Sequence, residues 1–266
     1  MNEFLSNNLM FTILLSGHLA GDFLFQTDLI YRLKKTSFYG QLIHAFINAA
    51  LISILLIILY RDISLMLISM VIVFTTHLII DYSKVKLPFK NPFIFIIDQL
   101  LHIGILLILA IIMNEGYSSV FITGNNLKIP VLINTILIAA LFLKYLNGSI
   151  RKYMGKEKEK GFLKENAGAL ERIIILFFAY MHGFFFIMIP LIIIPRIVYG
   201  IHRGDEYIFY DTLFSMITAS LAGILLRQFT VNSPISPIIF MSAMLIFIAL
   251  HITVSILSDI IERAFY

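Results

Sequence analysis

Cysteine and tryptophan are both absent from this 266-residue chain. Without cysteine there is no disulfide, no thiolate metal site and no thiol redox pair. Without tryptophan, interfacial anchoring falls to the 12 Tyr and 24 Phe. Charge is also scarce, at 14% of residues, against about 25% in an average soluble chain. These shortages exclude a soluble enzyme, a nucleic-acid reader and a disordered regulator. What fills the chain instead is apolar: 59% of residues, with a mean hydropathy of +0.93. One water-soluble core cannot hide that much apolar surface. The composition predicts an all-α integral membrane protein whose constant partner is the lipid bilayer. The net charge of +4 is a topology signal and carries no expectation of nucleic acid.

A helix crosses the hydrocarbon core with about 20 mostly apolar residues. Eight stretches qualify: 5–25, 38–60, 63–82, 92–113, 129–147, 171–195, 206–227 and 236–257. Lipid offers no partner to an unpaired backbone group, so helices are the expected solution. The first stretch lacks a basic leader and a small-residue cleavage site, and it carries His18 and Asp22; it reads as a retained span. The polar connection 148–170 divides the chain into a unit of four to five spans over 1–147 and a three-span unit over 171–266.

Connections after odd-numbered spans hold 13 basic residues: Arg32, Lys34, Lys35, Lys84, Lys86, Lys90, Arg151, Lys152, Lys156, Lys158, Lys160, Lys164 and Arg227. The other side holds five: Arg61, Lys128, Arg196, Arg203 and Arg263. The positive-inside rule then places both termini outside and the odd-numbered connections in the cytoplasm. Pro190 and Pro195 are candidate helix breaks that weaken the assignment after residue 195.

The first half contains a repeat. His18-Leu19-x-x-Asp22 recurs as His77-Leu78-x-x-Asp81, 59 residues on, and Gln41-x-x-His44 recurs as Gln99-x-x-His102, 58 residues on. Hairpins 5–60 and 63–113 thus carry polar residues at matching places in the same direction, which predicts a duplicated-hairpin four-helix bundle with a pseudo-twofold axis along the membrane normal.

Ionisable residues inside spans are expensive, roughly 2.5–3.5 kcal/mol for a central Asp on insertion scales, and they mark function. Residues four apart share a helix face, so His18/Asp22, His77/Asp81 and Asp98/His102 are three two-pronged ligand sets. His44, with Gln41 and Asn48 beside it, forms a fourth. All four sets fall at one depth, near the ends of their spans predicted to be cytoplasmic, where a bundle can converge them. Imidazole and carboxylate without thiolate suit a divalent Zn, Mn or Fe ion. The candidate metal ligands are His18, Asp22, His44, His77, Asp81 and His102. Asp98 is a ligand or general base, and Lys84, three residues after Asp81, can hold an anionic substrate group or anchor the membrane surface. Lys34 and Lys35 read as anchors. Gln26 and Gln99 support the set, either by holding a ligand or water or by linking helices. The alternative for all of these polar residues is interhelical hydrogen bonding alone.

In the second half, Glu171 and Arg172 open the sixth predicted span, and Glu206, Tyr207, Thr212 and Ser215 lie in the seventh. Ion pairing is the reading for Glu171 and Arg172, with an approach to the His/Asp cluster as the alternative. His182 and His251 read as helix-packing residues.

The series GHLAGDFLFQTD, QLIHAF, THLIIDYSK and DQLLH resembles a bacterial integral-membrane family of unknown function. The matching positions are His18, Asp22, Phe23, Gln26, His44, His77, Asp81, Lys84, Asp98, Gln99 and His102, continuing through Glu171, Arg172, Glu206, Tyr207, Thr212 and Ser215. The pattern is also distantly similar to membrane-bound metal-dependent hydrolases. That likeness implies a hydrolase near the cytoplasmic leaflet acting on a phosphoester or lipid headgroup bond. The alternatives are a transporter or ion pathway and a di-iron membrane oxidoreductase, although the Glu-x-x-His pairs of soluble di-iron bundles are missing from the first half.

Overall fold

The computed structural model describes residues 9–87, 91–114, 128–155, 162–204 and 206–265. Lys90, Lys156, Lys158 and Lys160 lie outside the described residues, as do the side chains of Lys164, Glu206 and Arg263. The chain is an all-α membrane protein. Among the described residues, seven helices are long and apolar enough to cross a bilayer, and eight if a bent first pair is one span. Many of their large apolar side chains are exposed, Ile79, Leu101, Ile112 and Ile246 among them, as helices facing lipid require.

Contacts divide the chain into two compact units. The first comprises residues 1–134 and 245–266, the second 135–244. The polar connection 148–170 that serves as a divider in the sequence lies inside the second unit and only partly within the described residues.

In the first unit, α1 (Leu9–Leu19) runs into a π-turn (Ala20–Leu24). It is followed by α2 (Asp28–Thr36), α3 (Phe38–Tyr60), α4 (Ile63–Lys86) and α5 (Pro92–Asn114). Packing runs α1 to α3, α3 to α4, α4 to α5 and α5 back to α1, which closes a four-helix ring. One apolar core fills the far half of that ring, with Leu9, Ile13 and Leu14 of α1 against Ile52, Leu56 and Tyr60 of α3, Leu65 of α4 and Met113 of α5. The polar sets occupy the other half.

The turns are encoded locally. The Thr27 hydroxyl caps α2 by accepting from Ile30 N at 3.4 Å, and Ser37 caps α3 by accepting from Gly40 N at 3.0 Å. Asp62 caps α4 by accepting from Leu65 N at 2.8 Å. The axis bends by 87° between α1 with its π-turn and α2, so the pair forms a broken span or a re-entrant turn. Gly40 lets α2 and α3 touch, since a Cβ there would overlap the backbone carbonyl of Leu33. Gly40→Ala is therefore expected to force these helices apart, at a cost of about 1–3 kcal/mol. A lower unfolding temperature in detergent is the expected measurement.

The last helix, α11 (Pro237–Phe265), returns to the first unit. Glu262 near its end pairs with Arg32 of α2, which lies at the polar end of the ring. Leu9 packs with Tyr60 and Met113 at the opposite end. The first described residues of α1 and the last turns of α11 thus lie at opposite ends of this unit.

The second unit lies between the two parts of the first in the sequence. It contains α6 (Lys128–Leu137) from residue 135, a π-turn (Ile138–Phe142), α7 (Leu143–Tyr153), α8 (Phe162–Met181), α9 (Met188–Arg203) and α10 (Glu206–Phe229). The predicted span 171–195 is not one helix. It breaks at His182, whose φ of 64° is left-handed, followed by Gly183 at 60° and a 3-10 turn over Gly183–Ile187. Helices α8 and α10 run parallel: Arg172 reaches Ser215 and, further along both, Arg227 reaches Tyr180 O. Helix α9 is antiparallel to α10, with Arg196 on Asp211 across the turn at Gly204. The chain therefore reverses at His182, and α8 and α9 form a hairpin around Ile175, Ala179, Ile189 and Ile193.

Candidate metal centre

Each polar set sits where its helix leaves the apolar half of the ring. Asp22 lies within the π-turn, a form that recurs at functional sites because it redirects a side chain within a helix. Gly21 beside it has no Cβ, and one there would collide with the Asn48 amide. This allows Asn48 Nδ2 to donate to Asp22 Oδ1 at 3.0 Å. His77 and Asp81 project from the last turns of α4, His44 from the first turns of α3, and Asp98, Gln99 and His102 from α5. All these side chains are buried, His44 completely, at 0% exposure.

Four atoms come together at the centre. His44 Nε2 is 3.1 Å from His77 Nε2, 3.2 Å from Asp22 Oδ1 and 3.3 Å from Asp81 Oδ2. His77 Nε2 is 3.3 Å from Asp22 Oδ1 and 3.2 Å from Asp81 Oδ2. Asp22, His44 and His77 each offer a ligand atom within 4.8 Å of the other two, and two imidazoles with a carboxylate form a hard-to-borderline donor set that could hold Zn, Mn or Fe. Asp81 Oδ2 adjoins both imidazoles.

The surrounding groups hold the carboxylates. Gln99 Nε2 donates to Asp22 Oδ2 and to Asp98 Oδ2, each at 3.1 Å. His18 lies 3.8 Å from Asp22 Oδ2 and 3.4 Å from Gln99 Oε1. His102 stacks on His77 with ring centroids 4.2 Å apart. Three groups have ligand atoms within 4.8 Å of one another: His18, His77 and His102; Asp22, His44 and His77; and Asp81, Asp98 and His102. The structure thus brings together every predicted ligand of the first half: His18, Asp22, His44, His77, Asp81, Asp98 and His102. Lys84 pairs with Asp98 and remains 30% exposed at the rim. Gln26 accepts from Lys34 Nζ at 3.4 Å.

Residues 10–129 match the family described as Protein of unknown function (DUF3307). Every residue of the centre lies in this DUF3307 region, and so does the ring of helices that carries it. Comparison with curated proteins and with solved structures found no match.

One member of the DUF3307 region's cluster escapes sequence reasoning. Lys34, taken as a surface anchor, is buried at 7% exposure and lies 2.6 Å from Asp81 Oδ2. Lys35 beside it is exposed, on Tyr31. Only the 87° bend carries α2 back over the bundle, and no local pattern distinguishes the two lysines. Gln41 also differs from its repeat partner Gln99, since its amide donates to Lys34 O at 3.3 Å.

Glu171 and Arg172 belong to the second unit's own network. Arg196 joins Glu171, at 2.7 Å, to Asp211, and Asn147 also donates to Asp211. Tyr207 donates to Asn147 O at 2.6 Å. Thr212 donates back to Ile208 O at 2.6 Å, and Ser215 accepts from Arg172. These contacts fit the ion-pairing reading of Glu171. His182 is a corner residue, against the helix-packing expectation, and His251 stacks on Phe247 at 6.0 Å.

Proposed function

We propose that this chain is a membrane-embedded, metal-dependent hydrolase of the bacterial inner membrane, acting on a phosphoester or related headgroup bond near the cytoplasmic leaflet. The observation that carries this reading is the buried set of Asp22, His44 and His77, whose facing atoms lie 3.1–3.3 Å apart, with Asp81 Oδ2 3.2–3.3 Å from both imidazoles. A divalent ion bound there lowers the pKa of a water and polarises a phosphoryl oxygen. The chain's own residues do the rest. His44 and His77 are oriented by burial and ring stacking, and Asn48 and Gln99 hold Asp22 in place. Asp98, anchored on one oxygen by Lys84 and Gln99, keeps its Oδ1 without a hydrogen-bond partner and serves either as a further metal ligand or as the proton acceptor. Lys84 at the rim supplies positive charge for an anionic group.

A position near the inner leaflet is supported by the basic asymmetry, 13 residues after odd-numbered predicted spans against five on the other side.

The test is elemental analysis of the purified full chain in detergent, followed by hydrolysis assays on phosphomonoester and phosphodiester lipids. At least one equivalent of Zn, Mn or Fe is expected, with turnover that disappears in His77→Ala. Metal well below one equivalent after supplementation rejects the metal reading. Bound metal without turnover of either class of lipid rejects the hydrolase and favours the transport alternative.

A further inference from the structure

The central four-atom set uses only one oxygen of Asp81. The other, Oδ1, faces a different group: it lies 3.9 Å from His102 Nε2, which is 3.7 Å from Asp98 Oδ1. All three of these atoms are buried, and none makes a hydrogen bond. Buried polar atoms left unpaired are costly and uncommon, and three aimed at one place have a common cause. The three side chains are not free to turn elsewhere. Asp98 is fixed through Oδ2 by Lys84 and Gln99, Asp81 through Oδ2 by Lys34, and His102 by stacking on His77. Beside His102 is a cavity of about 10 Å³, lined by His18, His77, His102 and Thr76 with apolar residues of α4 and α5. It has room for one water-sized body.

We propose that Asp81 is a bridging carboxylate between two divalent cations. The first ion is held by His44, His77, Asp22 and Asp81 Oδ2. The second is held by Asp81 Oδ1, Asp98 and His102, with His18, whose ring lies 4.9 Å from that of His102, completing the set. This proposal rests on the metal reading above. The repeat in the sequence gives three of the second ion's ligands a counterpart at the first: His102 answers to His44, His18 to His77 and Asp81 to Asp22, whereas Asp98 stands where the first hairpin has Gly40. Paired ions stand about 3.5–4 Å apart and clamp both the attacking and the leaving oxygen of an in-line displacement, which a single ion does less well.

The test counts ions and their coupling in the full chain, purified in detergent, stripped with a chelator and reloaded with Mn(II), with Zn and Fe loading in parallel. Two Mn per chain and a spin-coupled electron paramagnetic resonance spectrum are expected. His102→Gln is expected to retain one Mn with an uncoupled six-line spectrum. One ion per wild-type chain, uncoupled, overturns the bridge and leaves the first site standing. Failure to bind any of the three metals overturns both. If His102→Gln does not fold, the wild-type count and spectrum decide the matter alone.

Discussion

Asp81→Ala is expected to lower stability by about 3–5 kcal/mol and to abolish metal binding, and adding Lys34→Met is expected to restore the first without the second. The argument starts from the 2.6 Å contact between Lys34 Nζ and Asp81 Oδ2, with both side chains buried. Removing the carboxylate leaves an ammonium inside the protein with no anion of its own, and an uncompensated buried charge costs more than the pair contributes. Replacing Lys34 with an apolar side chain of similar length removes that charge. The metal is not recovered, because Asp81 supplies an oxygen to the central set. Thermal unfolding in detergent and elemental analysis of the single and double variants separate the two roles. A double variant no more stable than Asp81→Ala would show that Lys34 does not depend on Asp81. Retained metal in Asp81→Ala would remove this residue from the centre.

The second large effect is expected at Arg172. The π-turn Ile138–Phe142 widens the helix by one residue, which leaves carbonyls off the regular ladder. Arg172 is buried beneath it. Its Nε donates to Ala139 O at 2.8 Å and a terminal nitrogen to Ala140 O at 3.2 Å. The other terminal nitrogen donates to Ser215 Oγ at 2.9 Å. One planar guanidinium thus serves three acceptors on two other segments, a fork that lysine lacks. Arg172→Ala removes a charged donor from each of two carbonyls in the second unit's interior, at about 1–3 kcal/mol each. The unfolding temperature should fall sharply, Arg172→Lys should recover only part of it, and metal content per folded chain should not change. A silent Arg172→Ala would mean that water takes over those carbonyls. Lost metal in folded Arg172→Ala would tie Arg172 to the centre after all.

The sequence determined the membrane class and most of the candidate ligand set, because both are written in local terms. Twenty-residue apolar runs specify helices in lipid whatever their neighbours do. A four-residue spacing puts His18 with Asp22, His77 with Asp81 and Asp98 with His102 on common faces before any tertiary contact exists. The repeat offsets identified the four sets that the ring converges. Tertiary structure decided the rest. The reversal at His182 lies inside a stretch that is apolar on both sides, so hydropathy cannot distinguish a hairpin from a single long helix; only the left-handed backbone at His182 and Gly183 and the parallel packing of α8 on α10 do. The placement of Lys34 depends on the 87° bend and on the close approach at Gly40, neither of which has a periodicity. The division of labour between the two oxygens of Asp81 also exists only in three dimensions, because residue spacing aims a carboxylate but does not say what each of its oxygens will meet.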